Sequence, residues 1–339
     1  MIGGYTADLD GHAVGVTALA LASTPAGDVR ASTVGSVALS SPSFVVRHPS
    51  QPWLFAVSET SPGRVASLAV ADDGALTRLD TRGTTGSDGN CHLALTPDGR
   101  HLVTAAYGSG TTSSFAVGPD GVLSEQLDLL AFEGSGTDAE RQQSPHAHQV
   151  VPDGSELLVC DLGTDRIHRL SLDDDGQFSR SGPPIQLPGG SGPRHLALVQ
   201  DHLVVACELS AEVWVARRSE GGWQEVGRVP ASAAAAGQPC APSAIVSTGR
   251  RVYVANRGPG TVAVFDLDPE QGQLVRLAEF PCGGPWPRDL ALSDGRLWVA
   301  NQSNDLVSVF STSELPPRGA EFELSAPSPT CLVLLGGSA

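Results

Sequence analysis

The chain contains no lysine: all 21 of its Lys and Arg residues are arginines. This absence excludes an enzyme that forms a Schiff base on lysine and a phosphate loop of the Walker type, since both need a lysine ammonium group. Any fixed cation in a binding site must therefore be an arginine or a protonated histidine.

The sequence also lacks a basic surface, paired cysteines and long apolar runs. With a net charge of −16, the chain lacks the basic surface that binds nucleic acid or anionic membranes, and we expect neither partner. The six cysteines lie far apart without a CxxC pair, so a disulfide framework is not expected. No apolar run is long enough to span a membrane, and the N-terminus lacks a signal peptide pattern, which predicts a cytoplasmic protein.

Glycine and proline, by contrast, are abundant, with 39 and 25 residues spread along the chain. They separate short apolar strands into a repeated layout: a small or polar residue, an apolar strand, a turn and a second apolar strand with a polar end. Six such segments follow one another at intervals of roughly 42 to 56 residues, which is typical of propeller blades. They cover residues 41–60, 90–110, 145–165, 193–212, 241–260 and 287–305.

Turn sequences such as Pro97-Asp98-Gly99 favour tight hairpins inside these segments. A seventh blade is predicted from both chain ends, with Ser328–Leu335 pairing beside Met1–Thr6 and Ala13–Leu21. Such pairing closes the ring and leaves no open sheet edge. We therefore predict an all-β fold over residues 1–339: one seven-bladed β-propeller domain with four-stranded antiparallel blades.

The antiparallel hairpins predict which polar residues can meet. The start of each first strand and the end of each second strand lie at the same end of a hairpin, so these positions should share one face of the propeller. The first-strand starts supply His92, His146, His148, Arg194, His195, Arg288 and Asp289. The second-strand ends supply Glu59, Tyr107, Asp161, Glu208, Arg257 and either Asn301 or Gln302. So many arginines and histidines together favour an anionic small-molecule ligand, with the carboxylates orienting them.

Several of these residues have structural alternatives. His92 and His195 could have the purely structural role of forming hydrogen bonds with backbone groups. Glu208 and Arg257 could form a structural ion pair between blades. His146 and His148 are two residues apart, so in a regular strand they would point the same way, as in some metal sites. Because no third ligand follows at a fixed offset, we expect neither a metal nor another cofactor. Serine-hydrolase and WD40 signatures are also missing.

The segments SPSFVVRHP, CHLALTPDGR, SPHAHQVV, GSGPRHLAL, VYVANRGPGTVAVF and PRDLALSDGR resemble the lactonase-type seven-bladed propellers, which include 6-phosphogluconolactonase and 3-carboxy-cis,cis-muconate lactonizing enzyme. The resemblance spans nearly the whole chain. It implies a catalytic set of His148, Arg194, Glu208 and Arg257. His146, His195, Arg288, Tyr107, Glu59, Asp161 and Asn301 are the further candidates for substrate binding.

The chain departs from this family at Pro242-Ser243-Ala244, where an acidic residue is usual, and this change affects substrate choice or one binding contact. Segment 231–239 is expected to contribute little specific chemistry. The favoured function is metal-independent hydrolysis of an anionic lactone. A muconate-type cycloisomerase, a metal-dependent lactonase and a propeller that only binds a metabolite or protein stay open as alternatives.

Overall fold

The structure is a computed structural model that describes residues 1–23, 29–234 and 237–335. Positions 235 and 236, within the segment expected to contribute little chemistry, lie outside the described residues. The chain divides into two compact units, Met1–Gln186 and Leu187–Ala339. Helical structure in the described residues is limited to two 3₁₀ turns, Ala7–Leu9 and Gln302–Asn304, and none of it could cross a membrane.

Four antiparallel sheets, here called blades 1 to 4, take all their strands from the first unit except one strand of blade 1. Blade 1 has Ile2–Gly4, Gly15–Ser23 and Val29–Ala38, and Pro329–Leu332 is its fourth strand. Blade 2 has Val45–Arg47, Trp53–Ser58, Arg64–Val70 and Leu76–Gly83, and blade 3 has Asn90–Leu95, His101–Ala106, Thr111–Ala116 and Asp128–Ala131. Blade 4 has Ala147–Asp153, Glu156–Asp161, Arg166–Leu172, Phe178–Arg180 and Ile185–Gln186.

The second unit contains blades 5 to 7. Blade 5 has Pro193–Val199, His202–Cys207, Glu212–Ser219 and Gly222–Pro230, and blade 6 has Ala241–Thr248, Arg251–Arg257, Thr261–Asp268 and Gln273–Pro281. Blade 7 has Pro287–Ser293, Arg296–Asn301, Leu306–Ser311 and Phe322–Ser325. These sheets form the predicted seven-bladed β-propeller, and the predicted sheet built from both chain ends is confirmed.

Blade 4 differs from the prediction because its outer edge is split. Phe178–Arg180 pairs with one part of Arg166–Leu172, and Ile185–Gln186 pairs with the other. Pro183 and Pro184 stand between the two pieces. Proline has no backbone N–H to donate to a neighbouring strand, so the ladder is interrupted there.

Apolar side chains on the inner strands pack neighbouring blades together. Strand His202–Cys207 of blade 5 is buried along its whole length, and Val204 lies in one apolar cluster with Val254 and Phe265 of blade 6. In the first unit, Phe55 of blade 2 and Phe115 of blade 3 lie in another cluster. Burial of such side chains supplies most of the free energy of folding. Because the middles of these strands are packed with apolar side chains, the polar candidate residues lie at the strand ends.

Candidate functional site

The strand ends meet as the hairpin argument predicts. In blade 5 Pro193 pairs with Cys207, in blade 6 Ala241 pairs with Arg257, and in blade 7 Pro287 pairs with Asn301. Each first-strand start therefore lies beside the end of the second strand of its own blade. The candidate residues from the motifs lie at these ends.

The same end of the inner hairpin carries a β-bulge in five blades, which sequence reasoning missed. The registers shift between Pro193 and His195 and between Pro287 and Asp289, which leaves Arg194 and Arg288 as extra residues. The residues passed over in the other blades are Cys91, His148 and the pair Ser243–Ala244. A bulge turns a side chain away from the regular alternation of a strand and is common next to active sites. The bulges thus re-aim two of the four predicted catalytic side chains.

Arg194, Glu208 and Arg257 form one buried group. A single carboxylate oxygen, Oε2 of Glu208, lies 3.2 Å from Nε of Arg194 and 2.6 Å from Nη2 of Arg257. The side chain of Arg194 is 2% exposed, and those of Glu208 and Arg257 are each 8% exposed. Buried charged pairs are costly unless their geometry is good. Glu208 therefore fixes two guanidinium groups at this end of the second unit.

Backbone carbonyls hold the two arginines from the other side. Nη1 of Arg194 donates to the carbonyl of Ser243 over 2.8 Å, and Nε of Arg257 donates to the carbonyl of Ala241 over 3.1 Å. The Ser243 hydroxyl donates to the carbonyl of Pro287 over 2.7 Å. The segment Pro242-Ser243-Ala244, where the sequence departs from the family pattern, thus contributes a backbone acceptor to the site.

Asp289 is a buried carboxyl group near Arg194. Its Oδ2 accepts the N–H of Leu332 over 2.8 Å. Burial raises the pKa of Asp289 to about 6, against the opposing effects of the Leu332 and Leu290 N–H groups and of the Arg194 charge. This residue therefore titrates just below neutral pH.

The raised pKa of Asp289 predicts a pH-dependent effect of Asp289→Asn. The folded state holds the Asp289 proton more tightly than the unfolded state does, so the wild type loses stability as the pH rises from 3.8 to about 6. The difference corresponds to about 3 kcal/mol at neutral pH. The asparagine variant lacks this loss. In urea unfolding, the free energy of unfolding of the variant minus that of the wild type should rise by about 2 kcal/mol between pH 4 and pH 7. A difference that does not change with pH would contradict this prediction.

Three further candidates of the second unit occupy different environments. His195 is buried in the strand that follows the Arg194 bulge. Arg288 is half-buried, with Nη1 3.4 Å from Oε1 of Gln302. Asn301 is fully buried, and its Nδ2 donates to the carbonyl of Cys282 over 2.9 Å and to Oγ of Ser308 over 3.2 Å. Substrate binding by these residues stays a prediction.

In the first unit, Tyr107 joins two histidines. The Tyr107 and His146 rings stack with centroids 4.3 Å apart, and the His148 ring meets Tyr107 edge-on at 5.7 Å. Nδ1 of His146 lies 2.7 Å from the carbonyl of Tyr107. His146 precedes the strand Ala147–Asp153, and His148 occupies its bulge. The two histidines therefore do not lie in one regular strand, although both contact the same aromatic ring.

The two acidic candidates of the first unit have well-defined partners. Glu59 accepts the Tyr5 hydroxyl over 2.8 Å. Asp161 is completely buried. It accepts the backbone N–H of His146 over 2.8 Å and the Thr164 hydroxyl over 2.6 Å, and its Oδ2 lies 3.0 Å from Nε2 of His168. Asp161 thus fixes the start of the segment that carries His146, and a direct contact of either acid with substrate stays a prediction.

Within the described part of the chain, no group of three or more His, Cys, Asp or Glu side chains could hold a metal ion. What the second unit does offer is a fixed arrangement of guanidinium groups, suited to an anionic group or to negative charge that develops on an oxygen atom. Fold and site together define a β-propeller with an arginine–carboxylate centre at the blade ends.

The comparison with known families identifies this class more closely. The family model described as "Lactonase, 7-bladed beta-propeller" matches residues 1–334. The chain therefore belongs to the seven-bladed β-propeller lactonase family, as its sequence motifs predict.

Two relatives illustrate the similarity. A 6-phosphogluconolactonase of Bacillus subtilis is 30% identical over 311 residues, which cover 88% of each chain. The solved structure of the periplasmic gluconolactonase of Pseudomonas aeruginosa is 26% identical, with a TM-score of 0.87, and the match covers 97% of this chain and 96% of that one. Both relatives are named for action on sugar-acid lactones.

Proposed function

We propose that this protein hydrolyses an anionic lactone of a sugar acid, as a 6-phosphogluconolactonase does. The observation that carries the proposal is the sharing of one buried carboxylate oxygen by two guanidinium groups, at 3.2 and 2.6 Å, in a chain of the lactonase family. Two fixed cations at the end of adjacent blades favour a substrate with a carboxylate or phosphate group.

The local charge supports an anionic substrate. Arg194, Arg257 and Arg288 occupy the blade ends with Glu208 and Asp289, so this group is positive by one charge when both acids are ionised, whereas the whole chain carries −16. Protonation of Asp289 below a pH of about 6 removes one negative charge, so the net charge of the group becomes +2. An anion approaching the acidic protein would meet a locally favourable potential at these strand ends.

In the proposed reaction, water adds to the lactone carbonyl carbon. The carbonyl oxygen becomes an oxyanion, the bond from this carbon to the ring oxygen then breaks, and the ring oxygen takes up a proton to give the open hydroxy acid. Arg194 and Arg257 bind the anionic group of the substrate and stabilise the oxyanion. Stabilisation of an oxyanion by a single hydrogen-bond donor raises kcat by about 10²- to 10³-fold. Glu208 keeps both guanidinium groups in place, because its Oε2 contacts both of them.

The family resemblance also predicts a catalytic role for His148 in the first unit, and this prediction is tested by itself. If His148 acts as the general base, His148→Asn should lower kcat by about 10²-fold or more. His101→Asn is the matched control, because His101 is also buried but lies at the opposite end of an inner hairpin. Equal activity of the His148→Asn variant and the wild type would remove His148 from the reaction.

The proposed function is tested by measuring acid release from 6-phosphogluconolactone and from glucono-1,5-lactone, each with and without a chelator, against spontaneous hydrolysis. We expect enzymatic hydrolysis that survives chelation, with a higher kcat/KM for the phosphorylated lactone. Rates equal to spontaneous hydrolysis for both lactones would overturn the proposal. Loss of activity with chelator and its return with a divalent cation would overturn metal independence alone.

A further inference from the structure

Trp286 stands directly before strand Pro287–Ser293 of blade 7, at the end of the hairpin that carries Arg288. Trp286 is 39% exposed, which is unusual for so large an apolar residue. Val275 and Leu277, which are also exposed, lie instead on the outer strand Gln273–Pro281 of blade 6. Trp286 is therefore an exposed aromatic ring at the same strand ends as the arginines.

The indole ring is held next to one of these arginines. Cζ of Arg257 lies 5.3 Å from the centroid of the Trp286 ring, within the range of a cation–π contact. Arg257 is itself fixed by Glu208 and by the carbonyl of Ala241. The exposed ring therefore rests on a guanidinium group that cannot easily move away.

The backbone around Trp286 is fixed as well. The carbonyl of Trp286 accepts the N–H of Gln302 over 3.1 Å, and the carbonyl of Pro285 accepts the N–H of Gly258 over 2.9 Å. The second bond ties the Trp286 loop to the residue that follows Arg257. Ring and cation thus keep a constant relative position, which lowers the entropic cost of binding a ligand to both.

We infer that Trp286 is a substrate-binding and specificity-determining residue. Its indole ring contacts the C–H face of a sugar-acid lactone, and Arg257 binds a negatively charged oxygen atom of the same molecule. The inference rests on the proposed function and deepens it. The ring face is electron-rich and apolar, so it attracts the positively polarised C–H bonds of a sugar ring. A neighbouring cation and aromatic face match a ligand that has an anionic group on one side and a sugar ring on the other.

A second arginine–tryptophan pair provides a matched control. Cζ of Arg218 lies 4.3 Å from the centroid of the Trp223 ring. Trp223 belongs to the fourth strand of blade 5, Gly222–Pro230, next to the turn that joins it to the third strand. This pair therefore has the same chemistry but no place at the first-strand starts or second-strand ends.

The experiment measures lactone hydrolysis and the binding of gluconate and 6-phosphogluconate in wild type, Trp286→Ala, Trp286→Phe and Trp223→Ala. Binding is measured by calorimetry in all four proteins. For Trp286→Ala we expect KM and the Kd of the sugar acids to rise about tenfold, with kcat changed less than threefold, because the ring contacts ground and transition states alike. Trp286→Phe should recover most of the affinity, and Trp223→Ala should match the wild type.

The outcomes separate the inference from the proposed function. Hydrolysis by the wild type with unchanged KM and Kd in Trp286→Ala overturns the inference and leaves the function standing. A fall in kcat at unchanged KM also overturns it, since Trp286 then only positions Arg257. Absence of hydrolysis in the wild type overturns the function, whereas a Trp286-dependent affinity for the sugar acids still supports the inference.

Discussion

Replacing Arg257 by lysine is expected to lower kcat/KM for the lactone by about 10²- to 10³-fold, the range for loss of one transition-state hydrogen-bond donor. Lysine keeps the charge but has no planar fork. It cannot reproduce together the bonds of Arg257 to Glu208, at 2.6 Å, and to the carbonyl of Ala241, at 3.1 Å. Arg194→Lys should have a similar effect, because the Arg194 guanidinium group pairs with Glu208 and also donates to the carbonyl of Ser243.

Arg250→Lys is the control for this series. Arg250 pairs with Asp266 on the exposed surface of blade 6 over 2.8 Å, and its side chain is 52% exposed. Exposed pairs contribute little, so this variant should retain wild-type kinetics and stability. If Arg257→Lys and Arg194→Lys are both as active as Arg250→Lys, the guanidinium groups do not take part in the reaction.

Removal of Glu208 is the change with the largest expected effect on stability. In Glu208→Ala two guanidinium groups lose the carboxylate that bridges them, and all three side chains are at most 8% exposed. Breaking a buried ion pair by removing one partner costs about 3 to 5 kcal/mol. Urea unfolding should report a loss of this size, and activity should fall at the same time because both arginines become free to move.

Glu321→Ala provides the comparison, since Glu321 pairs with Arg296 over 2.6 Å at a largely solvent-accessible place in blade 7. Its loss should cost less than about 1 kcal/mol. Equal stability of the Glu208→Ala and Glu321→Ala variants would show that the Arg194–Glu208–Arg257 group is not a strongly coupled buried network.

The fold was predictable because the repeat determines it locally. Each hairpin has its own turn signal, as at Asp98-Gly99, where Gly99 has a φ of +73° that glycine adopts without strain. The alternation of apolar strands and turns then determines where each blade begins and ends. The interruption at Pro183 and Pro184 was missed, because it concerns an outer strand, whose apolar pattern is weak.

The grouping of Arg194, Glu208 and Arg257 was also predictable, because antiparallel pairing puts strand starts and strand ends together. The bulges were not. A bulge at Arg194 or His148 adds one residue to a strand without changing its apolar pattern, so the sequence still reads as regular alternation. For this reason the bulge at His148 was missed, although His146 and His148 do lie at the start of the first strand of their blade.

Two further features depend on packing that no local pattern reveals. Asp289 has a pKa of about 6 because it is buried, and burial of one carboxyl group depends on the surrounding blades and strand Pro329–Leu332. The contact of Trp286 with Arg257 joins residues of blades 6 and 7. An aromatic residue directly before the Pro-Arg-Asp motif was the available sequence signal for Trp286.

The proposed function requires two guanidinium groups that act together on an anionic lactone. Hydrolysis of 6-phosphogluconolactone by the wild type and by the Arg194→Lys/Arg257→Lys double variant is the decisive comparison. We expect rapid hydrolysis by the wild type and a rate close to the spontaneous one in the folded double variant. Equal kcat/KM in the two proteins would show that these arginines do not act on the substrate.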